Sequence, residues 1–270
     1  MKSHESGEFG VRLSQTCVFV TLCVMSLVLA GCPPEVVTVI TNSTSPGIHV
    51  NVLGVEIPLD NRAVVSLTIT DDAGDPIPLR ELTDIRFILA HLDESPPSGS
   101  TAQFASYITQ LTGGALQATY DGARLAGLAQ AEDGSYTYTF TTAIPGGFSK
   151  TATHQVGGQA GRLFPINGES YSTNMTYSFR PDGGIVTKER DIVQTETCNV
   201  CHTSLSAHGS RREVQLCILC HNPGSTDPDS GNSVDFPEMI HKIHRGADLP
   251  SVNDGVPYQI IGYKGSVHDY

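Results

Sequence analysis

The sequence predicts an all-β N-terminal domain, an antiparallel sandwich or split barrel, followed by a mostly coil and short-helix segment of different chemistry. Three observations carry this prediction. Short runs of alternating apolar and polar residues recur between about Ile48 and Phe179, the period-two signature of half-buried strands. The chain of 270 residues holds 27 Gly and 16 Pro, a loop-rich balance, and its 39% hydrophobic and 16% charged residues exclude disorder throughout. After Val193 the alternation stops, and cysteine and histidine become the informative residues.

In chain order, the first element is an export address. Leu13 to Ala30 is an apolar stretch about as long as a signal-peptide core and short for a transmembrane helix, which needs ~20 residues. Lys2 and Arg12 precede it, and Leu29-Ala30-Gly31-Cys32 closes it. This ending resembles the bacterial lipobox, in which small residues admit the signal peptidase and the cysteine thiol receives diacylglycerol. A plain membrane anchor with an incidental cysteine is the alternative. Glu5 and Glu8 are unusual in a basic leader and fit a start downstream of Met1. Residues 1–31 are therefore read as a lipoprotein signal peptide, Cys32 as the lipidation site, and residues 32–47 as a tether opened by Pro33 and Pro34. Acyl chains contribute about 0.8 kcal/mol per buried methylene, enough for a triacylated Cys32 to hold the chain to a membrane. Cys17 and Cys23 leave with the signal peptide on this reading.

Residues 48–193 form the predicted β domain. Its clearest strands are Val64 to Thr70, Ile85 to Leu92, Ser135 to Thr142 and Thr173 to Phe179. Asp71 to Pro76 and Glu132-Asp133-Gly134 supply the side-chain caps and the positive-φ residues of hairpin turns. About seven or eight such strands make a sandwich or split barrel able to bury a core without disulfides. No catalytic constellation is present. His49, His91 and His154 stand apart from any nucleophile or carboxylate motif and are read as surface or core residues. Between Pro33 and Thr197 there are 9 basic and 18 acidic groups, most of the formal net charge of -12. That balance favours solubility and argues against a nucleic-acid partner, whose phosphates need basic side chains.

From residue 194 to 270 the chemistry lies in Cys198-Asn199-Val200-Cys201-His202 and Cys217-Ile218-Leu219-Cys220-His221. Both match the c-type haem attachment pattern. Two thiols one helical turn apart add across the two vinyl groups of a porphyrin, and the adjoining imidazole coordinates the iron. The same four cysteines also fit a four-thiolate zinc spacing, and two disulfides are a third reading. Zinc needs no histidine after each pair, and export favours haem, which is attached outside the cytoplasm. Cys198, Cys201, Cys217 and Cys220 are accordingly assigned to covalent haem, two haem c groups in this chain, with His202 and His221 as proximal ligands.

The histidines that follow are candidate distal ligands. Asp235 looks like an N-cap with Glu238 closing a capping box, and Gly246 is a natural stop, so Phe236 to Arg245 is predicted to be a helix. His241 and His244 lie three apart on it, near one face. His208, followed by Gly209, is a third candidate, and His268 is undecided. Iron with two imidazoles has no open position, so the function predicted is electron relay rather than turnover of a substrate. Arg211, Arg212, Lys242 and Arg245 are either partners of haem propionates or a solvated basic face. Asp227 to Asn232 is read as an ordinary turn, because Gly231 is out of register for a calcium loop.

CNVCHTSLSAHGSRREVQLCILCHNP, then FPEMIHKIH, preceded by a β domain containing VSLTITDDAGDPI, resembles the start of the OmcA/MtrC family of decahaem outer-membrane cytochromes. The resemblance covers essentially the whole chain after Cys32. It implies a multihaem cytochrome c domain, incomplete here, with His202 and His221 proximal and His208, His241 and His244 distal. It also implies a lipid-anchored protein at the bacterial cell surface, passing electrons along a haem chain. Its expected partners are the other redox proteins of an outer-membrane conduit and extracellular metal or flavin acceptors. Only two attachment motifs are present where a decahaem protein has ten, so the chain is expected to be a fragment. Two alternatives stay open on sequence grounds: a multihaem oxidoreductase with an open haem site, and a zinc-binding surface lipoprotein.

Overall fold

The computed structural model describes residues 42–95 and 101–270. The predicted signal peptide, Cys32 and most of the predicted tether lie outside them. Ten strands come first: β1 His49–Glu56, β2 Val64–Thr70, β3 Leu82–Asp93, β4 Gln103–Ser106, β5 Thr109–Thr112, β6 Ala115–Ala118, β7 Leu128–Gln130, β8 Tyr136–Thr139, β9 His154–Leu163 and β10 Ser170–Phe179. They build two four-stranded antiparallel sheets, in the orders β1-β2-β8-β7 and β10-β9-β3-β4, with β5 and β6 as a separate hairpin. The helices follow: α1 Thr195–His202, α2 Val214–Cys220, α3 Phe236–Arg245 and α4 Pro250–Asn253. A short antiparallel pair, β11 Gln259–Ile261 and β12 Val267–Asp269, comes last. Among the described residues no helix is long and apolar enough to cross a membrane.

The alternation in β2 works as its pattern demands: Val65, Leu67 and Ile69 are fully buried while Val64, Ser66, Thr68 and Thr70 are not. Opposite them, Tyr136 and Tyr138 of β8 and Phe87 of β3 fill the space between the sheets, with the Phe87 and Tyr138 rings 4.6 Å apart. The two turn clusters serve different ends. Glu132 to Gly134 joins β7 to β8 as a hairpin, with Asp133 accepting from the Ser135 amide. Asp71 to Pro76 folds the chain back antiparallel on the end of β2, with Thr70 bridged to Pro76 and the Ile77 amide donating to the Ile69 carbonyl. It carries the chain out of β2 toward β3, in the other sheet, with Asp71 accepting from the Ala73 and Asp75 amides.

A buried ion pair locks the N-terminal end of the described chain. The Arg162 guanidinium, fully buried, lies 3.5 Å from Glu81 and donates to the Ser43 hydroxyl and the Ser45 carbonyl. Glu81 in turn accepts from the Ser43 amide and hydroxyl. His154 is also completely buried. Its Nδ1 meets the Ala152 carbonyl at 3.0 Å and its Nε2 meets the Tyr107 hydroxyl at 2.9 Å, so Nδ1–H donates and the phenol donates to Nε2. His91 stacks on Tyr107 and His49 pairs with Asp72 at the surface.

The apolar core does not stop at the last long strand. Val214, Leu216, Ile218 and Leu219 of α2 join the same cluster as the sheets. Strands β3 and β9 therefore bury consecutive residues, Ile88 to Ala90 and His154 to Gly158, where simple alternation predicts every second one. One face looks into the sandwich, and the other lies under α2.

Candidate haem-binding site

α1 places Cys198, Cys201 and His202 within a single short helix, and α2 with its C-cap residue does the same for Cys217, Cys220 and His221. All four cysteines are free thiols. Among the described residues no three His, Cys, Asp or Glu side chains converge as a metal site, so the two thiol pairs do not meet in a four-thiolate arrangement.

The histidines, by contrast, come together in twos. His202 faces His244 of α3 with ring centroids 6.0 Å apart and planes at 87°. His208 faces His221 at 5.9 Å with planes at 24°. Two metal–nitrogen bonds of about 2 Å, plus roughly 1 Å from each nitrogen to its ring centre, put imidazoles on opposite sides of one metal about 6 Å apart. Each pair thus joins a CxxCH histidine to a distant one at the spacing that two axial ligands of one iron require.

The ring orientations are fixed by hydrogen bonds that leave Nε2 free. His221 Nδ1–H donates to the Val234 carbonyl at 2.8 Å, and His244 Nδ1–H donates to the Ile240 carbonyl at 2.8 Å. A hydrogen bond to the other ring nitrogen is what fixes the tautomer of a histidine that binds a metal. Burial lowers the pKa of His221, and desolvation does the same for His208, with the Arg211 charge adding in each case. Both imidazoles are therefore neutral at pH 7, the form that ligates. Burial pushes the Cys217 and Cys220 thiols up to about 11.

His208 reaches His221 through a tight loop. His208 and Gly209 are both left-handed, at φ 48° and 89°, and Ala207 and Arg211 close the loop with reciprocal backbone hydrogen bonds. A left-handed non-glycine residue is uncommon and costs of order 1 kcal/mol or more. α3 runs over the predicted Phe236–Arg245, and Gly246 terminates it at φ 51°. The capping box does not form. Asp235 makes no side-chain cap, its Oδ1 is buried without a hydrogen-bond partner, and Glu238 pairs instead with Lys242 at 2.6 Å. Pro237, which has no amide hydrogen to offer, takes up the first turn.

Other predicted residues are placed as follows. His241 is exposed on α3, with no opposing ring among the described residues. His268 lies on β12 beside Ser266. Asp227 accepts from the Ser230 hydroxyl and the Ile261 amide, so its carboxylate ties the 227–232 turn to β11. Of the four basic residues, Lys242 is paired with Glu238, Arg245 donates to the Asp248 carbonyl and Arg212 to the Ser204 hydroxyl. Arg211 instead donates to the Gln159 side-chain oxygen and stacks over the Tyr120 ring.

Residues 190–264 match the family model for outer membrane cytochrome MtrC/MtrF-like domains II and IV. That stretch of the chain is similar to the MtrC/MtrF-like outer membrane cytochromes. The multiheme cytochrome MtrC of Shewanella baltica (strain OS185) is 26% identical over 205 residues, 70% of this chain and 29% of that protein. The crystal structure of the outer membrane decaheme cytochrome OmcA superposes with a TM-score of 0.66 at 23% identity, over 84% of this chain and 38% of that one. The crystal structure of MtrC from Shewanella baltica OS185 gives a TM-score of 0.57 at 23% identity, over 75% and 33%. These superpositions show a shared fold, and the chain spans well under half the length of each relative.

Within this fold, several positioning residues carry no motif. Gly157 of β9 lets α2 lie directly on the sheet, since a Cβ there would stand 2.4 Å from Leu219 Cδ1, whereas a Cβ at Gly158 would stand 2.3 Å from the Arg86 carbonyl oxygen of β3. Asn174 of β10 binds the Ser210 carbonyl and the Arg212 amide. Gln117 of β6 exchanges two hydrogen bonds with Thr226. Only the paired glycines in HQVGGQAGRL are a signal that sequence reading could have used, since Gly inside a strand marks close backbone approach.

Proposed function

We propose that this chain is the electron-relay portion of an outer-membrane multihaem cytochrome, carrying two bis-histidine haems beside a β domain. The observation that carries this reading is the pairing of His202 with His244 and of His208 with His221 at ring separations of 6.0 and 5.9 Å. Cys198 and Cys201 hold one haem covalently, with His202 proximal and His244 distal. Cys217 and Cys220 hold the other, with His221 proximal and His208 distal. His241 remains a candidate distal ligand with no opposing ring among the described residues. When bound, haem supplies a one-electron iron couple. The Val234 and Ile240 carbonyls hold protons on Nδ1 of His221 and His244, which would leave Nε2 of each ring as the atom to bind an iron. The core side chains of α2 exclude water from one side of the second position.

On the same reading, residues 48–193 form the β domain and residues 194–270 the haem-bearing segment, preceded by a signal peptide and a lipid anchor at Cys32. The names of the relatives, a multiheme cytochrome and an outer membrane decaheme cytochrome, support haem and an outer-membrane setting. Partners are other cytochromes of an outer-membrane conduit, with metal or flavin acceptors outside the cell. Expression in a host that attaches c-type haem, followed by a pyridine haemochrome assay on denatured protein, tests this. Two covalent haems per chain are expected; zinc with no iron would overturn the reading.

A further inference from the structure

The two distal imidazoles are held in different ways. His244 is oriented by its own helix, since its Nδ1–H donates to the Ile240 carbonyl one turn back in α3. His208 has no such bond among the described residues: it is exposed, and the loop alone carries its ring to His221. That loop is strained, because His208 sits in the left-handed region at φ 48°, where a side chain with a Cβ is disfavoured. Its internal closures, the reciprocal Ala207–Arg211 bonds and the Ser206 hydroxyl donating to the Gly209 carbonyl, fix its shape. Its near end is tied to α1, where Asn199 Oδ1 accepts from the Leu205 amide at 2.6 Å.

The far end is held by the β domain. Asn174 of β10 and Gln159 of β9 stand directly opposite each other in the antiparallel register, so their side chains share one face of the sheet. It is the face that α2 covers, since a Cβ at Gly157, two residues from Gln159 along β9, would meet Leu216 and Leu219. The two amides take three successive residues of the loop. Asn174 Nδ2 donates to the Ser210 carbonyl at 3.2 Å, Asn174 Oδ1 accepts from the Arg212 amide at 2.7 Å, and Gln159 Oε1 accepts from Arg211 Nε at 3.1 Å. Asn174 thus uses both its donor and its acceptor on the loop backbone, starting two residues after His208.

We propose that Asn174, assisted by Gln159, is the positioning residue that keeps His208 on the iron bound by His221, so that the β domain sets how firmly this axial position is closed. Neither amide touches the ring or the iron; both act through the loop. Without them the strained turn loses its seat on the sheet, and the iron opposite His221 gains an open position. The inference rests on the haem assignment above and deepens it by saying what holds one distal ligand in place.

The test is carbon monoxide binding to the reduced two-haem chain. An outside ligand enters only while His208 is off the iron, so its apparent affinity scales with the open fraction. One hydrogen bond shifts such an equilibrium by about threefold to tenfold. Asn174→Ala, which loses two, raises the carbon monoxide affinity of one haem on the order of tenfold and leaves the other unchanged. Gln159→Ala, which loses one, raises it about threefold and carries the test where Asn174→Ala does not fold. In a His208→Ala background the position is already open, so Asn174→Ala adds nothing there. Gln117→Ala also removes two bonds between the strands and the helical segment, both to Thr226 outside the His208 loop, and leaves the affinity unchanged. Unmoved affinities in both Asn174→Ala and Gln159→Ala overturn the proposal. So does an equal gain from Gln117→Ala, or a gain from Asn174→Ala that persists without His208, since either assigns the effect to general loosening. Failure of these shifts with two haems attached removes only the role of Asn174, whereas absence of covalent haem from the native sequence removes the haem assignment and this inference together.

Discussion

At the scale of single residues, a few imidazoles decide what the chain can do. On the proposed haem assignment, His244 and His208 would each supply one ligand to an iron, so their loss would open that iron without removing the covalent haem. His244→Ala and His208→Ala are each expected to keep two haems per chain while converting one to a high-spin, carbon-monoxide-binding form in electron paramagnetic resonance and optical spectra. His241→Ala should leave both haems low-spin. A high-spin signal from His241→Ala and none from His244→Ala would reverse the pairing. His154 is a different kind of histidine, structural and buried between Tyr107 and the Ala152 carbonyl. Burial lowers its pKa below the ordinary 6.5, so the unfolded chain binds a proton more readily than the folded one. Its stabilisation is complete above about pH 6.5 and is lost as the pH falls toward its lower folded value, by up to about 1.4 kcal/mol per pH unit. Denaturant midpoints measured between pH 7 and 5 should fall less steeply for His154→Gln than for the native sequence; parallel slopes would contradict this.

At the scale of elements, the contact between α2 and β9 fixes where Cys217 and Cys220 lie. A methyl added at Gly157 meets the far ends of two leucines, which can turn aside, whereas one at Gly158 meets the Arg86 carbonyl oxygen, which cannot. Gly158→Ala should therefore cost more stability than Gly157→Ala, in the range of about 1–3 kcal/mol typical of overpacking; equal costs in urea unfolding would mean that the strand relaxes freely. This contact also marks the limit of what the sequence discloses. Strand β2 and helix α3 are legible to the residue, because one shows strict alternation and the other is bounded by Asp235 and Gly246. Strand β3 is legible only in part, since its Ile88 to Ala90 run is buried by a helix more than a hundred residues later in the chain. The CxxCH histidines and the distal candidates announce themselves as motifs. Which distal ring meets which proximal one depends on the left-handed turn at His208 and on the packing of α3, and no local pattern encodes that. The capping box misleads for a similar reason: Lys242, one turn further on, competes for Glu238.

At the scale of the whole molecule, one hydrophobic core runs through the strand-rich part and α2, so the helix that carries Cys217 and Cys220 shares the stability of the sheets. The Arg162–Glu81 pair guards the other end, where the chain leaves toward its N-terminus. Glu81→Ala would strand a fully buried guanidinium and is expected to cost about 3–5 kcal/mol in chemical unfolding. Removing the exposed Lys188–Glu94 pair should change stability by about 1 kcal/mol or less. Comparable losses from the two would mean that the buried network is not closed as described. The central claim, two bis-histidine haems held by the paired rings, is tested most directly by counting haems and spin states together in protein matured with its c-type haem. Two covalent haems per chain, both low-spin, are the predicted result. Zinc in place of iron, or a high-spin centre in the unmodified chain, would contradict it.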